Sequence, residues 1–315
     1  MTRIIFLITL FIFSNVHANE SMKKVFSTTI EQAKEFFTPL YASHGKTFTI
    51  ESYFDYDENN AKASATTAKD FYIELYGGLL KTKQGNKDSL RAAICHEIGH
   101  HFGGRPLVPR YYEEYFLFRG SVEGQADYWS AHYCLKKWFA GENHEKALAR
   151  YGFSFTDLNF CKKYHQDYED GLICTRVITA YKNMLGLPIE TKPFLHILTP
   201  KEKYKIPLAS MAIHPKKECR LETIYAASIC KTQDEYGCKI LSKRPEASRP
   251  LCWAGLEEVL TTELPEVSDK KILIDILNTL KLDGFHYSKY EDDDVLYYGN
   301  QLSEKYKSFI DQINL

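Results

Sequence analysis

Apolar positions fall into helix-period and strand-period stretches, separated by Gly, Pro and polar runs. The chain opens with an apolar run from Ile4 to Phe13, broken only by Thr9, between a basic Met1-Thr-Arg3 start and the small-residue step Val16-His-Ala18. That layout predicts a secretory signal peptide over residues 1–18, cleaved after Ala18, because the run is too short to span a bilayer. A helix period follows over Val25–Leu40, and Lys46–Ile50 alternates as a strand does. Residues 55–70 are polar and poor in core formers and read as loop, whereas Phe71–Tyr76 reads as a strand ended by Gly77-Gly78. Asp88 or Ser89 is placed to cap a helix reaching Phe102, stopped by Gly103-Gly104 and Pro106. Ser121 is placed to cap a second helix that runs to about Ala140 and stops at Gly141. Helical patterns recur near 168–185 and 216–230, with Pro-containing breaks at 186–193 and 242–250. The last sixty or so residues read as two small helices around the acidic run Glu291–Asp294, a solvated loop that lacks the spacing and turning Gly of a calcium loop. The predicted fold class is α+β, mainly helical, with a small sheet. The predicted organisation is a signal peptide (1–18), a main domain (19–250) and a C-terminal helical extension (251–315).

Charge and composition narrow the partners. The 40 Lys+Arg against 41 Asp+Glu leave a formal charge of −1, without the basic excess or stripe of a nucleic-acid binder. No segment after residue 18 approaches eighteen consecutive apolar residues, so no transmembrane segment is expected after signal-peptide removal. The mature chain is expected to be soluble and exported, periplasmic or secreted. All eight cysteines lie beyond residue 18, and an even count in an oxidising compartment predicts disulfides. No C-x-x-C pair exists, which argues against a structural Cys-zinc knuckle. Cys161–Cys174 and Cys219–Cys230 would close short loops and are plausible pairs.

The chemistry concentrates at residues 96–100, His-Glu-Ile-Gly-His. On a helix, His96 and His100 lie one turn apart on one face and can chelate one divalent metal, expected to be a single Zn2+ per chain. Glu97 sits beside them, within reach of a metal-activated water without being a ligand. Leu90, Ile94, Ile98 and Phe102 form a stripe on roughly the opposite face, so one side of the helix is expected to be buried and the other to offer the site. A catalytic zinc wants three protein ligands and an open position. A third His six residues after His100 is excluded, since Gly103 fits that pattern but the position is Pro106. The remaining candidate is Glu123 in Glu123-Gly-Gln-Ala-Asp127, with Asp127 four residues on accepting the free ring N–H of His96. Gly124 and Ala126 remove bulk where the two helices must approach. His132, half a helical revolution from Glu123, is not expected to be a ligand.

These motifs resemble the gluzincin metallopeptidases, within them the HtpX-like and CAAX-prenyl-protease-like families, whose second motif is Glu-x-x-Ala-Asp. His214-Pro215 followed by Arg220-Leu221 matches a third family segment at the same spacing, so the resemblance covers roughly residues 70–225. It implies a zincin-like core and metal-assisted hydrolysis of a peptide bond, with Glu97 as general base and Arg220 bracing the acidic residues behind the ligands. His214, Arg220 or one of Tyr111, Tyr112 and Tyr115 would assist at the carbonyl oxygen. The strand carrying Phe71, Ile73 and Leu75 would correspond to the edge strand that holds an extended peptide. The chain departs from these families in lacking their transmembrane helices, in its cysteines, and in residues 250–315.

The expected function is therefore an exported zinc endopeptidase acting on peptide or protein substrates. A zinc-binding envelope scaffold or chaperone without turnover is the main rival; Glu97 weighs against it, and a closed four-ligand site would favour it. A zinc amidase acting on cell-wall material keeps the metal but needs a narrow polar pocket instead of an open groove with a free strand edge. One expectation tests the packing. Cys134 lies eleven residues beyond Glu123, about 16 Å along its helix, so Cys95, beside His96, should be too far away to bond with it.

Overall fold

The computed structural model describes residues 2–112, 115–192, 213–232, 234–238, 245–250 and 252–254. The fold is mixed, mainly helical with two small sheets. Helix α1 (Thr2–Ser43) contains the expected Val25–Leu40 stretch and buries Phe26, Ile30, Ala33, Phe37 and Tyr41 at helical spacing. The expected cleavage after Ala18 falls within α1 and ahead of these residues. Among the described residues, no helix is long and apolar enough to cross a membrane.

Strands β1 (Thr47–Tyr53), β2 (Ala61–Ala65) and β3 (Asp70–Tyr76) form a sheet in the order β1-β3-β2, with β1 parallel and β2 antiparallel to β3. Two expectations change here. Residues 55–70 contain β2 and are not all loop. The Phe71–Tyr76 strand exists, but it is central, with Ile50 and Ala63 flanking Ile73, so it has no free edge for a peptide. Phe71, Ile73 and Leu75 are buried on the face toward the helices, which removes them as substrate contacts.

After the short α2 (Gly78–Lys81) comes α3 (Lys87–Phe102), capped by Asn86 rather than by Asp88 or Ser89. The Asn86 side chain accepts from the Asp88 and Ser89 amides, and Ser89 Oγ accepts the Asn86 N–H in return, which closes a capping box. Every residue from Asp88 to His100 is buried, so α3 is the central helix and not the half-exposed one that its apolar stripe suggested. It packs against α1, the three-stranded sheet, and the hairpin of β4 (Leu107–Tyr112) and β5 (Tyr115–Ser121), which the sequence did not announce. The expected helix from Ser121 to Ala140 is α4 (Glu123–Trp129), a π turn (Ser130–Cys134) and α5 (Leu135–Phe139). Helices α6 (His144–Tyr151) and α7 (Phe155–Tyr164) follow. Then come α8 (Tyr168–Met184) and α9 (Lys217–Ile229), close to their expected spans.

Two buried polar networks join the helices. Arg176 of α8 binds Asp88 with both Nε (2.7 Å) and Nη2 (3.0 Å), and Glu142 accepts from Arg176 (2.6 Å) and doubly from Arg91. Lys182 of α8 donates to Asp157 of α7 (2.6 Å), which also accepts from the Tyr225 hydroxyl of α9. Glu142 gives the fold a pH signature. Burial would raise its carboxyl, but hydrogen bonds from Arg91 and Arg176 win and pull it from 4.5 down to about 2. Between those values the native chain holds fewer protons than the unfolded one, so this contribution is complete above pH 4.5 and lost as pH falls through 2. With the side chain 36% exposed, solvent screening limits its worth to about 1 kcal/mol. Glu142→Gln is expected to lower the melting temperature at neutral pH and to flatten its fall between pH 4.5 and 2, read by thermal melts across pH. A parallel shift at every pH would contradict this.

Four disulfides close the described cysteines: Cys95–Cys134, Cys161–Cys174, Cys219–Cys252 and Cys230–Cys238. Cys161–Cys174 is the short-range pair expected. Cys219–Cys230 is not formed, because Cys219 lies in the first turn of α9 and Cys230 caps its end, so the rigid helix between holds them apart. Cys95–Cys134 overturns the expectation of separation. Ser121 and Trp129 pack near Gly103 and Ala126 near Gly99, so the second helix stays against α3 and its far end reaches Cys95. The π turn completes the alignment: eight α-helical residues would leave Cys134 about 80° out of phase with Ala126, and the wider turn carries it back toward α3.

Cys252, Trp253 and Ala254, assigned from sequence to the C-terminal extension, belong to this core. Trp253 is fully buried, and its Nε1–H donates to Thr223 Oγ1 (2.9 Å). The expected C-terminal helices and the acidic run Glu291–Asp294 lie outside the described residues.

Candidate metal centre

The i, i+4 spacing on α3 brings His96 and His100 edge to face with ring centroids 4.8 Å apart. Each ring is anchored through Nδ1. His96 Nδ1–H donates to Asp127 Oδ1 (2.8 Å), and His100 Nδ1–H donates to the Ser121 carbonyl (2.8 Å) at the end of β5. In the neutral rings both anchors fix the tautomer that has its proton on Nδ1, and both Nε2 atoms face Glu123 Oε2, at 3.1 and 3.3 Å. Glu123 opens α4, where the helix dipole favours a carboxylate. Glu97 lies beside the cluster, its Oε1 4.0 Å from His96 Nε2. All four side chains are buried.

The helices meet through their backbones. A Cβ on Gly99 would stand 2.7 Å from the Ala126 carbonyl oxygen and 2.9 Å from its Cα, so Gly99 is what lets α4 approach α3. Ala126 takes part in this approach as expected. Gly124 serves another contact, since a Cβ there would fall 2.1 Å from the Trp253 ring.

Behind His96, Asp127 is fully buried and accepts from Arg220 Nε (2.7 Å) and Nη2 (2.8 Å) of α9. Burial would raise the Asp127 carboxyl, but the Arg220 charge and then that of His96 hold it well below the usual range. Glu123 behaves likewise: burial opposes ionisation, and His100 and His96 overcome it. For His96, burial disfavours the charged ring, yet Asp127, Glu123 and Glu97 together lift it to about 10. Three carboxyl groups thus gather in one buried place, with the charges of Arg220 and His96 beside them.

His214 joins from the segment leading into α9. Its exposed ring places Nε2 3.1 Å from Glu123 Oε2 and stacks on His96 at 5.7 Å. Donor atoms of His96, Glu123 and His214 lie within 4.8 Å of one another, a group that could hold a metal ion. His132 faces away and meets the Asp234 carbonyl through Nε2 (2.9 Å). The side chains of Tyr111, Tyr112 and Tyr115 lie outside the described residues. Sequence reasoning missed the Ser121 carbonyl, the Gly99 contact and the Trp253 wedge. Only Gly99 left a sign, as a glycine in mid-helix at a cost of about 1 kcal/mol. No family model, curated protein or solved structure matches this chain.

Proposed function

We propose that this chain is an exported zinc endopeptidase built on a zincin-like core, with His96, His100 and Glu123 as metal ligands. The carrying observation is the convergence of two anchored imidazoles on one carboxylate oxygen, at 3.1 and 3.3 Å. Tetrahedral zinc, with bonds of about 2.0–2.1 Å, sets neighbouring donors about 3.3 Å apart, which both His–Glu123 distances match. Bound there, zinc would supply Lewis acidity, acidifying a water and polarising a scissile carbonyl. Glu97 stands next to the donors rather than among them, which suits a base that takes the water's proton and returns it to the leaving amine. Asp127 and Arg220 hold His96 in orientation.

The resemblance to gluzincin motifs supports peptide hydrolysis. The sheet supports it at a different strand from the one expected: among the described residues β2 pairs only with β3, with α3 and β5 beside it, so an extended peptide would add at its outer edge. Four disulfides fit an exported protein.

One observation favours a second reading. His214 Nε2, 3.1 Å from Glu123 Oε2, is a fourth donor that would close the site around a non-catalytic zinc. Purified chain with one zinc, incubated with a mixed peptide library, distinguishes the two. Glu97→Gln is expected to keep the zinc and lose cleavage by about 10²- to 10⁴-fold, the usual worth of a general base. A chelator is expected to abolish the remainder. Zinc-loaded wild type that cuts no peptide, and whose zinc affinity falls on His214→Ala, would establish the closed site. Cleavage of peptidoglycan fragments but not of peptides would establish the amidase.

A further inference from the structure

We propose that the Cys95–Cys134 disulfide gates metal loading: the ligand set is assembled for zinc only after this bond has formed. The inference rests on the metal-centre reading above and adds its regulation. His96 and His100 come from α3, Glu123 and Asp127 from α4, and these helices meet through the backbone approach of Gly99 to Ala126, alongside the His96–Asp127 hydrogen bond and that from Gln125 Nε2–H to the Gly103 carbonyl. A contact between a glycine and an alanine offers little interlocking side-chain surface to hold its register. The disulfide adds a covalent hold to those hydrogen bonds. Cys95 is the residue before His96, and Cys134 ends the π turn continuous with α4, so the bond ties the two ligand-bearing helices at one end of their contact. Its Cα atoms are 5.8 Å apart, and both cysteines are buried, Cys95 at 0% and Cys134 at 2% exposure.

A second bond repeats the arrangement behind the site. Cys219 precedes Arg220, the partner of Asp127, and bonds Cys252, whose neighbour Trp253 wedges against Gly124, next to Glu123. By contrast Cys161–Cys174 joins α7 to α8, neither of which carries a ligand, which makes it an internal control.

The redox step balances with a disulfide oxidant. The Cys95 and Cys134 thiols lose two protons and two electrons, the S–S bond forms, and the oxidant's own disulfide leaves as two thiols. Because both sulfurs end in the core, the bond forms as the helices close, and a chain kept reduced would remain unloaded until it reached an oxidising compartment.

Linkage supplies a test on the wild-type protein. If the disulfide strengthens zinc binding by some factor, zinc must stabilise the disulfide by the same factor. Wild-type chain, metal-free or with Zn2+, is equilibrated in a graded thiol–disulfide buffer, and each cysteine pair is scored by alkylation and mass spectrometry. Zinc is expected to make Cys95–Cys134 harder to reduce by about 10- to 100-fold, the range by which support to a metal ligand changes affinity. That is about 30 to 60 mV, at 29.6 mV per tenfold. Cys161–Cys174 is expected to stay within twofold. Chelator competition on Cys95→Ala/Cys134→Ala should show the same factor as weakened zinc affinity, with Cys161→Ala/Cys174→Ala unchanged. Equal reducibility of Cys95–Cys134 with and without bound zinc overturns the gate, whatever the variants do. A fully oxidised wild type that takes no zinc overturns the metal-centre reading itself.

Discussion

Gly99→Ala is expected to destabilise the protein and to weaken zinc binding, against the ordinary trend for a glycine in a helix. On propensity alone the change would stabilise α3 by about 1 kcal/mol. The added Cβ, however, would stand 2.7 Å from the Ala126 carbonyl oxygen and 2.9 Å from its Cα, and backbone cannot swing aside as a side-chain tip can. Relief requires α4 to move off α3. Overpacking of this kind costs about 1–3 kcal/mol, enough to reverse the propensity gain. The displacement also carries Glu123 and Asp127, three residues before and one residue after the contact, away from the two histidines. Metal sites tolerate shifts of only about 0.5 Å, so a tenfold or greater loss of zinc affinity is expected for Ala, and Val should be worse. Melting temperature and chelator-competition affinity, measured on both variants, decide the matter. A Gly99→Ala protein that melts higher and binds zinc as wild type does would mean that the helix contact has slack.

What could be read beforehand follows the range of the interactions. His96 and His100 were legible because chelation by two imidazoles needs only a local spacing of four on a helix. Asp127 was legible as chemistry and Arg220 only through the resemblance of its segment to the gluzincin motifs, although both reach the site from other helices. The surroundings were less so. The stretch Leu107–Ser121 folds as a hairpin with no Asn-Gly or Asp-Gly step and with Pro109 inside a strand, so the usual signs are missing. β2, Ala61-Lys-Ala-Ser-Ala65, carries no β-branched or aromatic residue and is a strand because β3 offers it an edge. For β3 the alternation of Phe71, Ile73 and Leu75 reveals a buried face, but nothing in a strand's own residues says whether it is central or at an edge. The π turn that brings Cys134 back to Cys95 has no local signature. The Cys219 case differs: α9 itself keeps Cys219 from Cys230, and that rigid spacing was present in the sequence.

Arg220→Met is expected to produce one of the largest losses of stability in the protein, larger than any surface charge change. Asp127 is fully buried and accepts two hydrogen bonds from Arg220 and one from His96. Replacing the guanidinium with an apolar side chain of similar length preserves packing and strands the carboxylate. Breaking a buried pair from one side costs about 3–5 kcal/mol, because the remaining charge has lost its partner but not its burial. The carboxyl can escape only by taking a proton, and it then holds the His96 N–H less well, so zinc affinity is expected to fall about 10- to 100-fold. Arg220→Lys keeps the charge but not the two-pronged geometry and should fall between. The double variant Asp127→Asn/Arg220→Met separates the unpaired-charge cost from the rest: it should melt above Arg220→Met alone, since position 127 no longer carries a stranded carboxylate, while zinc affinity stays weak because the His96 anchor is still altered. Additive losses in the melts would show that Asp127 and Arg220 act independently. Stability recovered without recovered affinity is the result expected of a brace whose work is to aim a metal ligand.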